Sequence, residues 1–475
     1  MHDLNNILLS KRHFMNWSMG GIGSTALATM LKSDLTANTT HFYPRAKRAI
    51  NICLVGGLSH IDSFDYKPGL EKFHGKSPPD KTKINVFFNK VGLIRKHDWT
   101  FRRRGQSGLW ISDLFPHIAK IADELTVIKS MHSDTGNHTP ALFMCNSGFM
   151  TNGFPSLGSW LSYGLGNESD SLPTFVVIPD NRGMPSGGAD SWSSAFLPAE
   201  HQGITLSNKA SSTIRDLFPD KNKTRINSES SSSQLLKYMA KKQIDELGGS
   251  DPILEARLKS YELAAKLQTA IPDVANIESE PVYIKRLYGL GQKPTNEFAR
   301  SCILSRRLLE KGVRFVQLYS GGPLGGKPRT SWDGHELMIP NHEREAARID
   351  KPVAALIKDL KMRGMLEDTL ITFTTEFGRT PFTESAPNDL GGGRDHNNAA
   401  FCVWAAGAGL RPGMSYGSTD EIGYAVHDKP VSWHDFHATL LHLFGIDHTR
   451  LSFYHNGIQR RLTNVHGNVL NEIIA

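Results

Sequence analysis

Five short stretches of the chain concentrate residues that bind metal ions or move protons. They are GGLSHIDSFDYKP (56–68), SMHSDTGNHTPALF (130–143), TSWDGHELMIPNHE (330–343), EFGRTP (376–381) and GGGRDHNNAAFCVWAAG (391–407). Carboxylate oxygens and imidazole nitrogens converging from such loops suit a divalent cation, Zn, Mn, Mg or Ca, as one ion or two. Two ions about 3.5–4 Å apart activate a nucleophile and bind the leaving oxygen of a phosphate or sulfate ester. The candidate ligands are Asp62, His138, Asp333, His335, Glu376, Asp395 and His396.

Each has a structural alternative. Asp62 and Asp65 are equally read as turn or cap residues, which Asp favours. His138 follows Asn137 and is either a ligand or part of a helix start. Asp333 and His335 flank Gly334 beside Trp332, with His342 further on. Glu376 follows an apolar strand directly, where an unpaired carboxylate is costly. Arg379 either pairs with Glu376 or holds an oxyanion by a bidentate fork. Asp395 and His396 form the strongest pair, and the glycines before them let the backbone approach its neighbours closely. His434, His437 and His442 share one expected helix and are read as surface or satisfied core histidines.

These residues need a frame. Apolar runs ending in glycine or polar clusters read as buried strands: 50–55, 125–130, LPTFVVIPD, FVQLYS, 369–374 and AAFCVWAAG. Between them lie helical patterns at 114–123, ALFMCNSG, LGSWLSYGLG, NEFARSCILSRRLLE, the run after NHEREAARID and SWHDFHATLLHLFGI. This alternation predicts a mainly parallel sheet covered on both faces, with its site at the carboxyl ends of the strands. Residues 226–300, Ser-rich and then helical with Asp251 as a cap, read as a helical insertion.

The chain has 475 residues, enough for a large core without disulfides; its four cysteines are scattered in apolar runs and read as buried thiols. A net charge of +7 is mild for this length, and KHDWTFRRRG reads as a solvated basic loop. Zinc-finger spacing and aromatic–basic RNA signatures are missing, which argues against a nucleic-acid partner. Near the N-terminus, SKRHFMNWSMGGIGSTALATML places Lys11-Arg12 before a weakly apolar run too short and polar to span a membrane. It resembles a twin-arginine export signal with Lys in place of the first Arg, which predicts an exported, periplasmic or cell-envelope protein. The expected organisation is a leader at 1–32, a linker at 33–46, an α/β domain at 47–450 and a tail at 451–475.

The order GG-x-SH-x-D-x-FD-x-KP, NH-x-PA, WD-x-H, EFGRTP and GGRDHN closely resembles the domain-of-unknown-function family 1501, from the leader through Ile446. That family is placed in the alkaline phosphatase superfamily, beside sulfatases and phosphodiesterases. The resemblance implies a three-layer α/β/α sandwich with a mostly parallel central sheet and a metal site at its carboxyl edge. It implies hydrolysis of a small-molecule or glycan phosphate or sulfate ester, possible in polysaccharide breakdown. Thr135, with Thr139 second, stands where superfamily phosphodiesterases place a nucleophilic Thr before an Asn-His pair. In that reading Thr135 or an activated water attacks, and Asn137 and Arg379 steady the developing charge. His396 resembles the superfamily's last metal-binding histidine, and TEFGRTP stands where an Asp-His pair is usual. The formylglycine motif of ordinary sulfatases is missing, since Cys145 is followed by NSGF. A catalytically degenerate member that binds a glycan or a partner is the alternative.

Overall fold

Strand β1 (Arg48–Leu54) sends Ile50, Ile52 and Leu54 to one side and Ala49 and Cys53 to the other, all buried. An apolar strand with both faces covered belongs in the middle of a layered sheet. The computed structural model describes residues 40–78, 84, 86–169, 171–208, 238, 239, 242, 267 and 270–475. The expected leader, the linker up to residue 39 and most of the expected insertion lie outside the described residues.

A hairpin of β2 (Phe101–Arg104) and β3 (Leu109–Ser112) precedes β4 (Thr126–Met131). Then come β5 (Phe175–Ile178), β6 (Ile204–Thr205), β7 (Phe315–Ser320) and β8 (Thr369–Thr375). A second hairpin, β9 (Gly378–Thr383) and β10 (Arg394–Asn397), leads into β11 (Phe401–Ala406) and β12 (Met414–Tyr416). Eight of these form one sheet in the order β12-β4-β11-β8-β1-β7-β5-β6. All neighbouring pairs are parallel except the two made by β11, which runs against β8 and β4. The sheet is therefore mostly parallel, with one reversed strand.

Seven helices are described: α1 (Pro68–Phe73), α2 (His138–Ser147), α3 (Leu157–Leu165), α4 (Val282–Tyr288), α5 (Asn296–Glu310), α6 (Met338–Met362) and α7 (Trp433–Leu443). One apolar core joins the Ile50 side of the sheet to α5 and α6, through Cys302, Ile303, Val353 and Leu356. The other joins the Cys53 side to α2, α3 and α7, through Leu142, Trp160 and Leu440. This is the expected three-layer α/β/α arrangement. Within the span of the expected insertion, the described segments α4 and the start of α5 pack into the first core through Ile284, Phe298 and Ala299. Among the described residues no helix is long and apolar enough to cross a membrane.

Local chemistry sets the boundaries. α2 begins at Asn137 in extended conformation and stops at Gly148, whose φ of 75° is the left-handed cap that glycine takes without penalty. The helix expected at 114–123 is instead a shorter 3-10 segment over Ile118–Glu124, broken at Ile121. The Asp350 carboxylate fixes its start, accepting from the His117 and Ile118 amides at 2.7 Å each. Hydrogen bonds from another element thus override the local helical pattern.

The reversed β11 matters for function. The carboxyl ends of β1, β4, β7 and β8 lie along one edge, and the amino end of β11 lies there too, with Phe401 opposite Met131. A segment just before β11 therefore meets the segments that follow the other strands.

Candidate metal centre

At this edge His138, Asp333, His335 and His396 each offer one ligand atom, all within 4.8 Å of one another. The His335 and His396 Nε2 atoms are 2.8 Å apart, and His335 Nε2 is 2.8 Å from Asp333 Oδ1. His138 Nε2 and His396 Nε2 each stand 3.4 Å from the same oxygen. Arg379 Nη2 donates to it as well, at 2.7 Å. Four groups thus crowd one carboxylate oxygen that has two lone pairs. Burial works against charge on Asp333, but the three imidazoles and Arg379 hold its carboxyl far below the usual range. Three imidazole nitrogens and a carboxylate are a ligand set that suits zinc or a similar cation.

Outer groups orient these ligands. His138 Nδ1 is 2.8 Å from Glu376 Oε1, which also accepts from the Gly56 amide at 2.8 Å. Burial alone lowers the His138 pKa, but the nearby Asp333 and Glu376 carboxylates outweigh it and raise it. Glu376 Oε2 is buried with no hydrogen-bond partner, and so is His138 Nε2. Orphaned polar atoms at a buried site are costly unless a ligand satisfies them, and these two fit a cation. His335 Nδ1 meets Glu384 Oε2 in a short contact. This carboxylate–imidazole pairing fixes the tautomer so that Nε2 faces the ligand set. His396 Nδ1 is bound by the Gly136 carbonyl at 2.6 Å, so Nε2 is again the free nitrogen. Burial lowers the His396 pKa well below the ordinary value, which keeps the ring neutral and able to ligate.

Backbone shape supports the cluster. Gly56 has φ of 118°, and a Cβ there would lie 2.5 Å from the Asp333 amide nitrogen. A Cβ on Gly393 would lie 1.6 Å from the His335 carbonyl oxygen. The glycine run before Arg394 therefore allows close approach to the His335 segment, without a left-handed backbone.

The other expected site residues fall as follows. Asp62 is fully buried outside the cluster, with Oδ2 paired to Arg394 Nε at 2.9 Å and to Ser59 Oγ at 2.6 Å. Oδ1 accepts from the Asp98 amide at 3.1 Å. Burial pushes its pKa up, but Arg394 and Ser59 win and hold it low. The structure thus makes Asp62 an anchor for Arg394, correcting the ligand expectation. Asp395, expected as a ligand, forms with His335 and Glu384 a second group whose ligand atoms all lie within 4.8 Å of one another. Its two oxygens accept from the His396 amide at 2.7 Å and the Phe88 amide at 3.0 Å. It braces the centre from behind.

Arg379 is fully buried, and its donors go to the carbonyls of Gly57 and Arg394 at 3.0 and 3.1 Å, to Gly56 and to Asp333. Four of its five N–H groups are thus taken by protein acceptors, which makes it a clamp on Asp333 and leaves no pair of donors for the expected bidentate hold on an oxyanion. Thr135 is partly exposed one residue before Gly136, and its Oγ1 accepts from the Asn137 amide at 3.1 Å. Asn137 is exposed at the start of α2. Both flank the residues that touch the cluster. Thr139 hydrogen-bonds Ser186 in a short contact. His342 is buried, takes the Ser59 amide at 3.1 Å, and is pushed down to about 3 by burial. His434 and His437 are buried and bond the carbonyls of Gly148 and Cys145, while His437 Nδ1 has no hydrogen-bond partner.

Glu384 was missed. Its only sequence signal is its place directly after β9, one position beyond Thr383, which pairs with Arg394. A cavity of about 350 Å³ also touches Asp333, lined by Lys327, Arg329, Leu337 and Arg344 among others.

Comparison with known proteins adds the following. The family model described as protein of unknown function (DUF1501) matches residues 46–474. No curated protein matches the sequence. Among solved structures, the PsFucS1 sulfatase from Pseudoalteromonas sp. is 14% identical, covering 92% of this chain and 77% of its own, with a TM-score of 0.35. The phosphonate monoester hydrolase SpPMH from Silicibacter pomeroyi is 12% identical, covering 76% and 71%, with a TM-score of 0.35. TAB5 alkaline phosphatase, a mutant with Mg bound, is 12% identical, covering 81% and 97%, with a TM-score of 0.34.

Proposed function

The chain belongs to the DUF1501 family, and from that premise we propose that it is a metal-dependent hydrolase of phosphate or sulfate esters. The observation that carries this reading is the convergence of three imidazole Nε2 atoms and one carboxylate oxygen at the carboxyl edge of the sheet. His138, Asp333, His335 and His396 would hold the cation. Glu376 and Glu384 fix the ring orientations of His138 and His335. A bound cation would supply positive charge that acidifies water and neutralises the ester oxygens.

The chain's own groups do the rest. Thr135 sits beside the centre with its oxygen engaged by the Asn137 amide, leaving its proton free to be given up. It is the proposed nucleophile. The exposed Asn137 side chain, next to His138, is placed to donate to an equatorial ester oxygen. Export to the periplasm, carried by the segment around Lys11-Arg12, and a role in glycan breakdown belong to the same proposal.

One observation favours a second reading. Asp62 is committed to Arg394, and among the described residues one four-ligand set gathers, the second group of His335, Glu384 and Asp395 sharing its His335. A member with a single cation could bind its ligand without turnover. Elemental analysis of the purified protein and its His396→Ala variant, with a screen of phosphate and sulfate esters, separates the two. Stoichiometric metal and turnover, both lost in the variant, are expected. Metal without turnover of any ester would select the binding protein. A variant that kept full metal and full rate would remove the centre altogether.

A further inference from the structure

We propose that Phe87 and Phe88 form a platform for a six-membered ring carried by the ester; this rests on the hydrolase reading above. The two side chains are consecutive, large and apolar, yet 46% and 47% exposed. They stand beside the metal centre. Phe87 lies against His396 with ring centroids 5.1 Å apart, and Phe88 meets His335 edge-on at 5.0 Å. The two phenyl rings are themselves edge-to-face at 4.9 Å. Each therefore rests one side on a ligand imidazole or on the other ring and leaves much of its surface to solvent.

The pair is held in place. Val86 before it is buried, and the Phe88 amide donates to Asp395 Oδ2 at 3.0 Å. That hydrogen bond ties the loop to the strand bearing His396. A fixed, half-exposed aromatic surface costs little entropy when a flat partner lands on it. Two residues on, Lys90 is largely exposed, with its Nζ 4.0 Å from Glu384 Oε1. The local surface thus joins an aromatic face, a cationic side chain and the proposed metal ligands. It fits an anionic ester whose phosphate or sulfate meets the centre while its ring lies on the phenyl groups. The shared chemistry is a ring with a π face or a C–H face, which an aryl ester and a sugar ester both offer.

Calorimetric binding of three phosphate and sulfate ester pairs to the holoprotein tests this: phenyl, glucose 6- and ethyl. The variants are Phe87→Ala/Phe88→Ala and Phe87→Leu/Phe88→Leu, the second keeping an apolar cover if the first misfolds. Expected are unchanged metal content, unchanged ethyl ester binding, and ring ester binding weakened roughly tenfold in both variants. A loss confined to phenyl esters assigns an aryl substrate, and one confined to glucose esters a sugar substrate. Equal binding of ring and ethyl esters by the wild type overturns the platform and leaves the hydrolase reading standing. Metal loss in the leucine variant also overturns it, making the pair a structural cover. If the metal-loaded wild type binds no ester, the hydrolase reading fails and the platform with it.

Discussion

Replacing Glu384 by glutamine isolates what one buried carboxylate does for the metal centre. Glu384 touches His335 Nδ1, and both side chains are at most a tenth exposed, so water screens the contact little. A charge-assisted hydrogen bond of this kind is about twice as strong as a neutral one. The amide can also turn its NH₂ towards Nδ1, which would put the proton on Nε2 and remove that ligand. Partners of metal-bound histidines typically contribute roughly 10- to 100-fold in affinity, or about 1.4–2.7 kcal/mol. The burial of this pair places the expected loss near the upper figure. Competition with a chelator, followed by elemental analysis, measures it directly. Lys90→Ala is the control: its ammonium is mostly exposed and 4.0 Å from Glu384, so affinity should hardly change. Superimposable chelator curves for wild type and Glu384→Gln would refute the claim that Glu384 orients a ligand.

Three further outcomes follow from the geometry. Asp62→Asn breaks a fully buried ion pair with Arg394 and should cost about 3–5 kcal/mol in denaturant unfolding. Folded variant should keep full metal, whereas metal loss at wild-type stability would return Asp62 to the ligand set. Gly56→Ala forces a Cβ to within 2.5 Å of the Asp333 amide at a φ of 118°. Strain of roughly 1–3 kcal/mol should weaken metal binding with the circular dichroism spectrum unchanged. His437, donating to the Cys145 carbonyl, is pushed down to about 3 by burial. Its folded pKa lies below the unfolded one, so the unfolded chain takes up the proton first as pH falls. The stability it contributes is present above about 6.5 and is lost on the way down to about 3, with about 2 kcal/mol gone by pH 5. His437→Gln should flatten that part of the unfolding profile, and an unaltered slope would show that other groups set it.

The sequence carried much of this centre, for a physical reason. Glu376 stands out because it directly follows a buried apolar strand, and Asp333 and His335 because they flank a glycine in a polar loop after another strand. The alternation of strands and helices likewise implied a sheet covered on both faces. What the sequence concealed was pairing at a distance. Asp62 reads like a ligand until Arg394, 332 positions away, is seen to occupy it. Arg379 reads like an oxyanion fork until four acceptors are seen around its guanidinium. Glu384 sits in an ordinary polar stretch and gains its role only when the β9–β10 hairpin brings it beside His335. The direction of β11 was equally hidden, since an apolar run looks the same whichever way it points.

The reversal of β11 has a consequence for how the protein matures. His396 is delivered by a segment entering the edge of the sheet, while His138 and Asp333 come from segments leaving it. The contact that locks His396, to the Gly136 carbonyl, spans 260 positions. Loop closure of that length comes late in assembly. The four ligands can thus share an ion only after β4, β7, β8 and β11 have all docked. A cation taken up here would then mark completion of the molecule and would not seed its folding. Added metal should slow unfolding and leave the early folding phases untouched.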